Sequence, residues 1–313
     1  MRILFLGAGA IGGYFGGRLT QAGEDVTFLV RDRRAAQLAD GLRIESPKGN
    51  ATIPVRTLVS GQTADPFDII VLTCKADGLP GALDAIEPHV APDTPILPLL
   101  NGVAHIDAIR TRLPQAITLG GVAQIPAELT PEGTVLHHSG LNNILTGALE
   151  DGAGHGAGHG AGHAVAGRFV AALHGAGVDA TLSERIEQDL WDKWVFLTTL
   201  AAGTCLMRSP VAPINRTDHG TRVMEALLAE CIAVVSAEGH PPEEDRITFY
   251  RNGVTASDGY FKASMLTDME AGNPTEADHV LGDMIARADR HGVEVPLLKV
   301  AYTHLQVYEA ARG

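Results

Sequence analysis

The chain lacks any run of basic residues. Its 24 lysines and arginines face 37 acids, a formal charge of −13. Broad binding to nucleic acid or to an anionic membrane rests on clustered cations and is excluded on that ground. A phosphate can still be held locally, by backbone amides and one or two arginines. Cysteine is scarce too. Cys74, Cys205 and Cys231 lie far apart, are odd in number and show no CxxC spacing. That excludes a disulfide framework and a zinc site, and it points to a reducing, cytoplasmic compartment. The thiols read as small packed hydrophobes, with Cys74 also near a ligand loop. No apolar run approaches the ~20 residues of a membrane span. The opening "MRILFLGAGAIGGYFGGRL" is too short in its apolar part, and too broken by glycine, to read as a secretion signal.

What is present suffices for two ordinary domains. The 313 residues are 45% hydrophobic, enough for a sizeable core. The first half alternates strand-like and helix-like segments. "RILFLG", "DVTFLV", "FDIIVLTCK", "TPILPLLNG" and "AITLGGVAQIP" are continuous apolar strands. Strands of that kind, separated by helices, make a parallel sheet covered on both faces. "GTVLHHSG" and "NNILTGAL" read as an antiparallel pair at the sheet edge. From about Glu184 helical periodicity takes over, in "RIEQDLWDKWVFLTTLAAGTCL", "TRVMEALLAECIAVVSAEG" and "TEADHVLGDMIARADRHG". The expected fold is α/β: a Rossmann-like dinucleotide-binding domain over 1–183, then an all-helical domain over 184–313. One segment stands apart. "GAGHGAGHGAGH", with His155, His159 and His163, has a regular spacing that invites a metal. A glycine-rich loop loses much entropy on chelation, so a solvated loop insertion is expected and no metal site.

"GAGAIG" follows the first strand and opens a helix, the context a GxGxxG pattern needs. Gly7 permits the turn, Gly9 lets backbone approach a pyrophosphate, and Gly12 lets helix and strand pack closely. With Ala8, Ala10 and Ile11 they place free N–H groups at a helix start, where phosphate is favoured. At the end of the second strand stands Arg31, where an NAD-preferring site usually has an acid. A guanidinium there can fork onto a 2′-phosphate, so Arg31 favours NADPH; Asp32 beside it offers the ribose contact instead. Lys75 and Asn101 each follow a strand, at the carboxyl edge where open α/β sheets bind ligands.

Lys193 sits near the start of "DLWDKWVFLTTLAAGTCL", between Trp191 and Trp194. A buried ammonium can polarise a carbonyl and protonate the alkoxide left by hydride addition. Burial beside the tryptophans is expected to lower its pKa. The plain alternatives are a helix pair with Asp189, four residues earlier, or a lysine that snorkels to solvent.

"GAGAIGGYFG", "RD" after the second strand, "LTCKA", "LLNGV", "LWDKW" and "KASMLTDMEAGNPTEAD" occur in that order. In this the chain resembles the ketopantoate reductase (2-dehydropantoate 2-reductase) family over nearly its whole length. The first motif is common to many dehydrogenases; the later ones together are more specific. The resemblance implies NADPH-dependent reduction of a 2-oxo acid, with ketopantoate the family's substrate. It makes Lys193 the general acid and Glu276 its partner toward substrate. It assigns Ser264 to the substrate carboxylate, Asn101 to the nicotinamide and substrate, and Lys75 to the cofactor loop. The chain departs from the family's pantothenate-forming members at Leu197 and Ala201, four and eight residues after the lysine, where those carry asparagines. Leu197 and Ala201 cannot hydrogen-bond a hydroxyl, which favours a more apolar 2-oxo acid; Thr198 and Thr199 stand one step off that face. A nonenzymatic NADPH sensor is the reading from another class. No partner beyond a small-molecule substrate is implied, and the helical half allows a homodimer.

Overall fold

The computed structural model describes residues 1–149, 156–259 and 261–312. Its contacts divide the chain into two units, one of residues 1–100 and 105–187, the other of 101–104 and 188–313.

In the first unit, β1 (Arg2–Leu6) leads through the glycine turn into α1 (Ala10–Gln21), then β2 (Asp25–Leu29) and α2 (Asp32–Gln37). Short strands follow, β3 (Leu42–Glu45), β4 (Ala51–Ile53) and β5 (Arg56–Leu58), then β6 (Ile69–Leu72), α3 (Leu79–Ile86) and β7 (Pro95–Pro98). Next come α4 (Ala104–Arg112), β8 (Ile117–Gln124), β9 (Ala127–Leu129), β10 (Val135–His137), β11 (Asn143–Ala148), α5 (Gly156–Gly175) and β12 (Asp179–Leu182). Among the described residues the main sheet has the order β12-β11-β8-β7-β6-β1-β2-β5. The six strands from β5 to β8 pair in parallel, in the doubly wound order 3-2-1-4-5-6. β1 shows why its sequence is continuously apolar from Ile3 to Leu6. Ile3 and Phe5 enter one core with Tyr14, Phe15 and Phe169, while Leu4 and Leu6 enter another with Ile70, Leu83 and Ile109. Both faces are covered, so no polar alternation is allowed.

Two expectations are corrected here. The segments 133–140 and 142–149 do not pair with each other. β11 runs antiparallel to β8 and parallel to β12 in the main sheet. β10 belongs to a separate four-stranded sheet of order β4-β3-β10-β9. Adjacency in sequence suggested a hairpin, but the register that buries Ile144 and Thr146 lies against β8. The glycine–histidine run is also not a loop from residue 156 on, because α5 begins there. A Cβ on Gly162 would lie 3.1 Å from Leu119 and 3.2 Å from Ile117, so the missing side chain seats this helix on β8. Packing of α5 onto the sheet outweighs the low helix propensity of glycine. His155 lies outside the described residues. His163 Nε2 is 3.8 Å from Glu184. No group of three or more His, Cys, Asp or Glu able to hold a metal occurs among the described residues.

The second unit is helical. α6 (Ile186–Met207) enters it at Gln188, followed by α7 (Val211–Asn215), α8 (Gly220–Ala237), α9 (Glu244–Val254) and α10 (Ser264–Glu270). A π-helical turn over Asp278–Gly282 runs into α11 (Asp283–His291), and α12 (Pro296–Arg312) closes the chain. α8 is central, packed by α7, α9, α11 and α12, and buries Met224, Leu227, Leu228, Cys231, Val234 and Val235. Among the described residues no helix is long and apolar enough to cross a membrane.

Candidate active site

In the first unit the glycine turn lies at the topological switch point, where β1 has β2 on one side and β6 on the other. Gly7 adopts φ +97°, closed to side chains by sterics, and donates its N–H to Leu29 O at 3.0 Å. Thr73, after β6, braces the turn with a 2.9 Å hydrogen bond from Oγ1 to Leu6 O. A Cβ on Gly12 would fall 2.3 Å from Gly7 O and 2.3 Å from Thr73 Oγ1, so only glycine lets α1 approach this closely. A Cβ on Gly9 would meet nothing within 4 Å. That position faces open space, as backbone in contact with a ligand requires. Ala10 and Ile11 form the first turn of α1, whose N–H groups have no partners within the helix.

The turn opens onto a cavity of about 660 Å³, lined by Gly7, Ala8 and Gly9, by Arg31, Arg33 and Arg34, and by Leu129 to Pro131 on the small sheet. A glycine cradle with guanidinium groups beside it fits a dinucleotide carrying phosphate. Arg31 is the residue before α2 and lines this cavity. Arg34 was not singled out in the sequence. Its Nε donates to Ala8 O at 2.9 Å and its Nη1 to Gly133 O at 2.9 Å, tying the glycine turn to the β9–β10 connection. Burial, reinforced by the like charge of Arg43, pulls its pKa below the ordinary arginine value. Lys75 is exposed just after β6 and does not line the cavity, whereas Cys74 does.

In the second unit α6 carries Lys193. Desolvation lowers the pKa of its ammonium from an ordinary 10.5 to about 8, and the Glu276 carboxylate partly opposes the fall. Glu276 precedes the π-helical turn and accepts from Asn101 Nδ2 at 3.2 Å. His279, three residues on, donates from Nε2 to Asn101 O at 2.6 Å, and Gly102 at φ +77° turns the chain beneath it. The loop 101–104 therefore belongs with the helices although it follows β7. Lys193, Glu276 and Asn101 form one cluster, with His279 as an unanticipated fourth member. The sequence did hold a signal for it, a histidine three residues after the glutamate, where the chain turns into the next helix. Ser264 is the exposed first residue of α10; Ala263 is the cap position and has no capping side chain.

The tryptophans have their own cation. Arg287 lies over the rings of Trp191 and Trp194, at 5.1 and 5.5 Å, and Trp191 stacks on His240 at 4.5 Å. Lys193 is ~200° around the helix from Trp191. The two threonines are turned inward. Thr199 donates to Val195 O at 2.8 Å, and Thr198 is fully buried, its hydroxyl without a hydrogen-bond partner among the described residues.

Comparison with known proteins agrees over both units. Residues 3–151 match the family described as Ketopantoate reductase PanE/ApbA, and residues 185–309 match its C-terminal part. An uncharacterised oxidoreductase of Bacillus subtilis (strain 168), YkpB, is 33% identical, with all of both chains covered. The crystal structure of 2-dehydropantoate 2-reductase from Methylococcus capsulatus superposes with a TM-score of 0.86 at 26% identity, over 100% of this chain and 98% of that one. D-mandelate dehydrogenase, in a ternary structure with NADH and anilino(oxo)acetate, shares the fold at TM-score 0.85 and 22% identity, over 100% and 99% of the two chains. With both halves matched in order, and a glycine turn built for a dinucleotide, the chain belongs to the ketopantoate reductase family and is an NADP-dependent oxidoreductase.

Proposed function

We propose that the protein reduces a 2-oxo acid to the 2-hydroxy acid with NADPH, using Lys193 as the general acid. The observation that carries this reading is the cluster itself. A lysine desolvated to a pKa of about 8 stands beside Glu276, whose carboxylate is fixed by Asn101. A general acid works best when its pKa lies near the operating pH.

Gly7, Ala8, Gly9, Ala10, Ile11 and Gly12 hold the pyrophosphate in this reading; Arg31 takes the 2′-phosphate, and Lys75 flanks the cofactor loop. When bound, the nicotinamide supplies the hydride that adds to the keto carbon. Lys193 Nζ polarises the carbonyl and gives its proton to the oxygen, leaving a neutral amine that solvent reprotonates. Glu276 keeps the lysine charged in the resting site and accepts from the new hydroxyl. Asn101 fixes Glu276, and Ser264 binds the substrate carboxylate. Ketopantoate is the reference substrate, because the Methylococcus capsulatus relative bears the name 2-dehydropantoate 2-reductase. A more apolar 2-oxo acid is favoured by one feature of α6, the inward-turned Thr198 and Thr199 behind Leu197 and Ala201.

The test is NADPH oxidation with a panel of 2-oxo acids, run on the wild type and on Lys193→Ala. Turnover should fall by at least about 10²-fold in the variant, the usual contribution of a positioned acid, while NADPH affinity measured by calorimetry stays put. A protein that binds NADPH and turns over no 2-oxo acid would be a sensor.

A further inference from the structure

We infer that the 2-oxo acid carries an aromatic side chain, seated on the rings of Phe196, Phe249 and Phe261. This rests on the 2-oxo acid reading above and names the substrate class for the same site.

Phe196 and Leu197 follow Lys193 by three and four residues on α6, and Leu200 and Ala201 follow by seven and eight. These offsets return to the lysine's face of the helix. Leu200 and Ala201 are buried, so the accessible part of that stripe is Phe196 and Leu197, neither of which can donate or accept a side-chain hydrogen bond. The nearest hydroxyls are Thr199, committed to Val195 O, and Thr198, fully buried. A hydroxylated substrate chain laid along this face would leave its polar group unpaired, which binding sites reject strongly.

The rings continue from the stripe. Phe196 stacks with Phe261 at 5.9 Å and 23°, and lies 5.6 Å from Tyr250 and 6.2 Å from Phe249, both on α9. Centroid spacings of 4.5–7 Å are those at which aromatic rings attract one another. A Cβ on Gly253 would come 2.9 Å from Phe196, so a bare backbone on α9 makes room for this ring. The cluster is open on one side. Phe249 is 61% exposed and Phe261 43%. The chain has eight phenylalanines, and Phe5, Phe15, Phe28, Phe67 and Phe169 are all buried. The three phenylalanines that are not buried, Phe196, Phe249 and Phe261, therefore all belong to this one cluster, and Phe196 itself follows Lys193 by three residues on α6. Phe261 also stands three residues before Ser264, the residue assigned to the substrate carboxylate. One end of a 2-oxo acid meets polar groups and the other meets rings. The competing occupant is a second copy of the chain, and the test separates the two.

The full-length protein is assayed for NADPH oxidation with phenylglyoxylate, phenylpyruvate, 2-oxoisovalerate and ketopantoate, then repeated with Phe261→Asn and Phe249→Asn. Phe249 is exposed enough that its replacement leaves folding intact. The expected result is a kcat/KM for an aryl 2-oxo acid at least about tenfold above that for ketopantoate, the order that one or two ring contacts supply. Either variant should lower that ratio by about tenfold, chiefly through KM. The inference is overturned, with the reductase reading intact, if ketopantoate wins and the variants leave the ratio unchanged. It is also overturned if the variants turn a sedimenting dimer into a monomer without altering preference. If the wild type reduces none of the four acids, the reductase reading itself fails and takes the inference with it.

Discussion

Replacing Lys193 by methionine should abolish turnover and make the protein more stable. The lysine's pKa falls from 10.5 to about 8 on folding, with the attraction of Glu276 already included. At about 1.4 kcal/mol per pH unit, holding the charged form at neutral pH costs the native state about 3 kcal/mol relative to an uncharged chain of similar length. Lys193 keeps some solvent contact, so a gain of about 2–3 kcal/mol is the expectation for Lys193→Met, whose volume is close to that of lysine. The sign follows from proton counting. Below pH 8 native and unfolded chains both carry the proton, and the penalty is complete. Between 8 and 10.5 the native lysine loses its proton first, so wild-type stability rises with pH while that of the variant does not. By about pH 10 the gap should shrink to under about 1 kcal/mol. Urea unfolding followed by tryptophan fluorescence is a suitable assay, because the two tryptophans, Trp191 and Trp194, both lie on α6 and report that unit alone. A variant less stable than wild type by about 1 kcal/mol or more at pH 7, with no closing of the gap at high pH, would falsify the reasoning. Lys193 would then be a structural ion-pair lysine, and its desolvation would be no reservoir for catalysis.

Three further outcomes can be checked with single variants. Reduction requires protonated Lys193, so kcat/KM should decline above about pH 8; Glu276→Gln removes the charge that raises this pKa, and the declining limb of the pH profile should move to lower pH. Gly12→Ala places a methyl 2.3 Å from Gly7 O and Thr73 Oγ1, so calorimetry should show weaker NADPH binding, and thermal unfolding a loss of about 1–3 kcal/mol. Arg287→Met strands Asp283 and Glu238, which the guanidinium holds at 3.1 and 2.5 Å; Glu238 keeps Arg290 and His291, so the loss should sit near the low end of the about 3–5 kcal/mol range for a broken buried pair, with a red shift in tryptophan emission.

What could be read from the sequence followed from local periodicity. β1, β2, β6, β7 and β8 are largely apolar on both faces because both faces of the sheet are covered, and such runs are visible without a structure. The glycine turn was legible for the same reason: strand, turn and helix are contiguous. The four-stranded sheet was not. Its strands have three or four residues, and its parallel pair, β3 with β10, is brought together from distant parts of the chain. Residues 156–163 misled by composition, since glycine argues for a loop until the face it packs on is known.

The lysine between two tryptophans shows how sequence neighbours and helix-face neighbours differ. Burial does lower the pKa of Lys193 as its apolar surroundings suggest, but Trp191, two residues away, lies ~200° around the helix from it and Trp194 ~100°. The indoles hold Arg287, which comes from α11 and whose role no local pattern could announce. What shares a face with Lys193 is set by offsets of three and four, and those offsets bring Phe196 and Leu197. The same spacing rule that turns Trp191 away from the lysine brings Phe196 and Leu197 next to it. It also predicts which substitution restores a polar preference. Leu197→Asn returns a donor and acceptor to the turn after Lys193, on an α6 position that is not fully buried. Selectivity should then move toward ketopantoate, by the 10- to 100-fold that one buried hydrogen bond to a substrate hydroxyl typically contributes. An unchanged ratio of ketopantoate to aryl 2-oxo acid in that variant would mean that this face of α6 does not contact the substrate side chain.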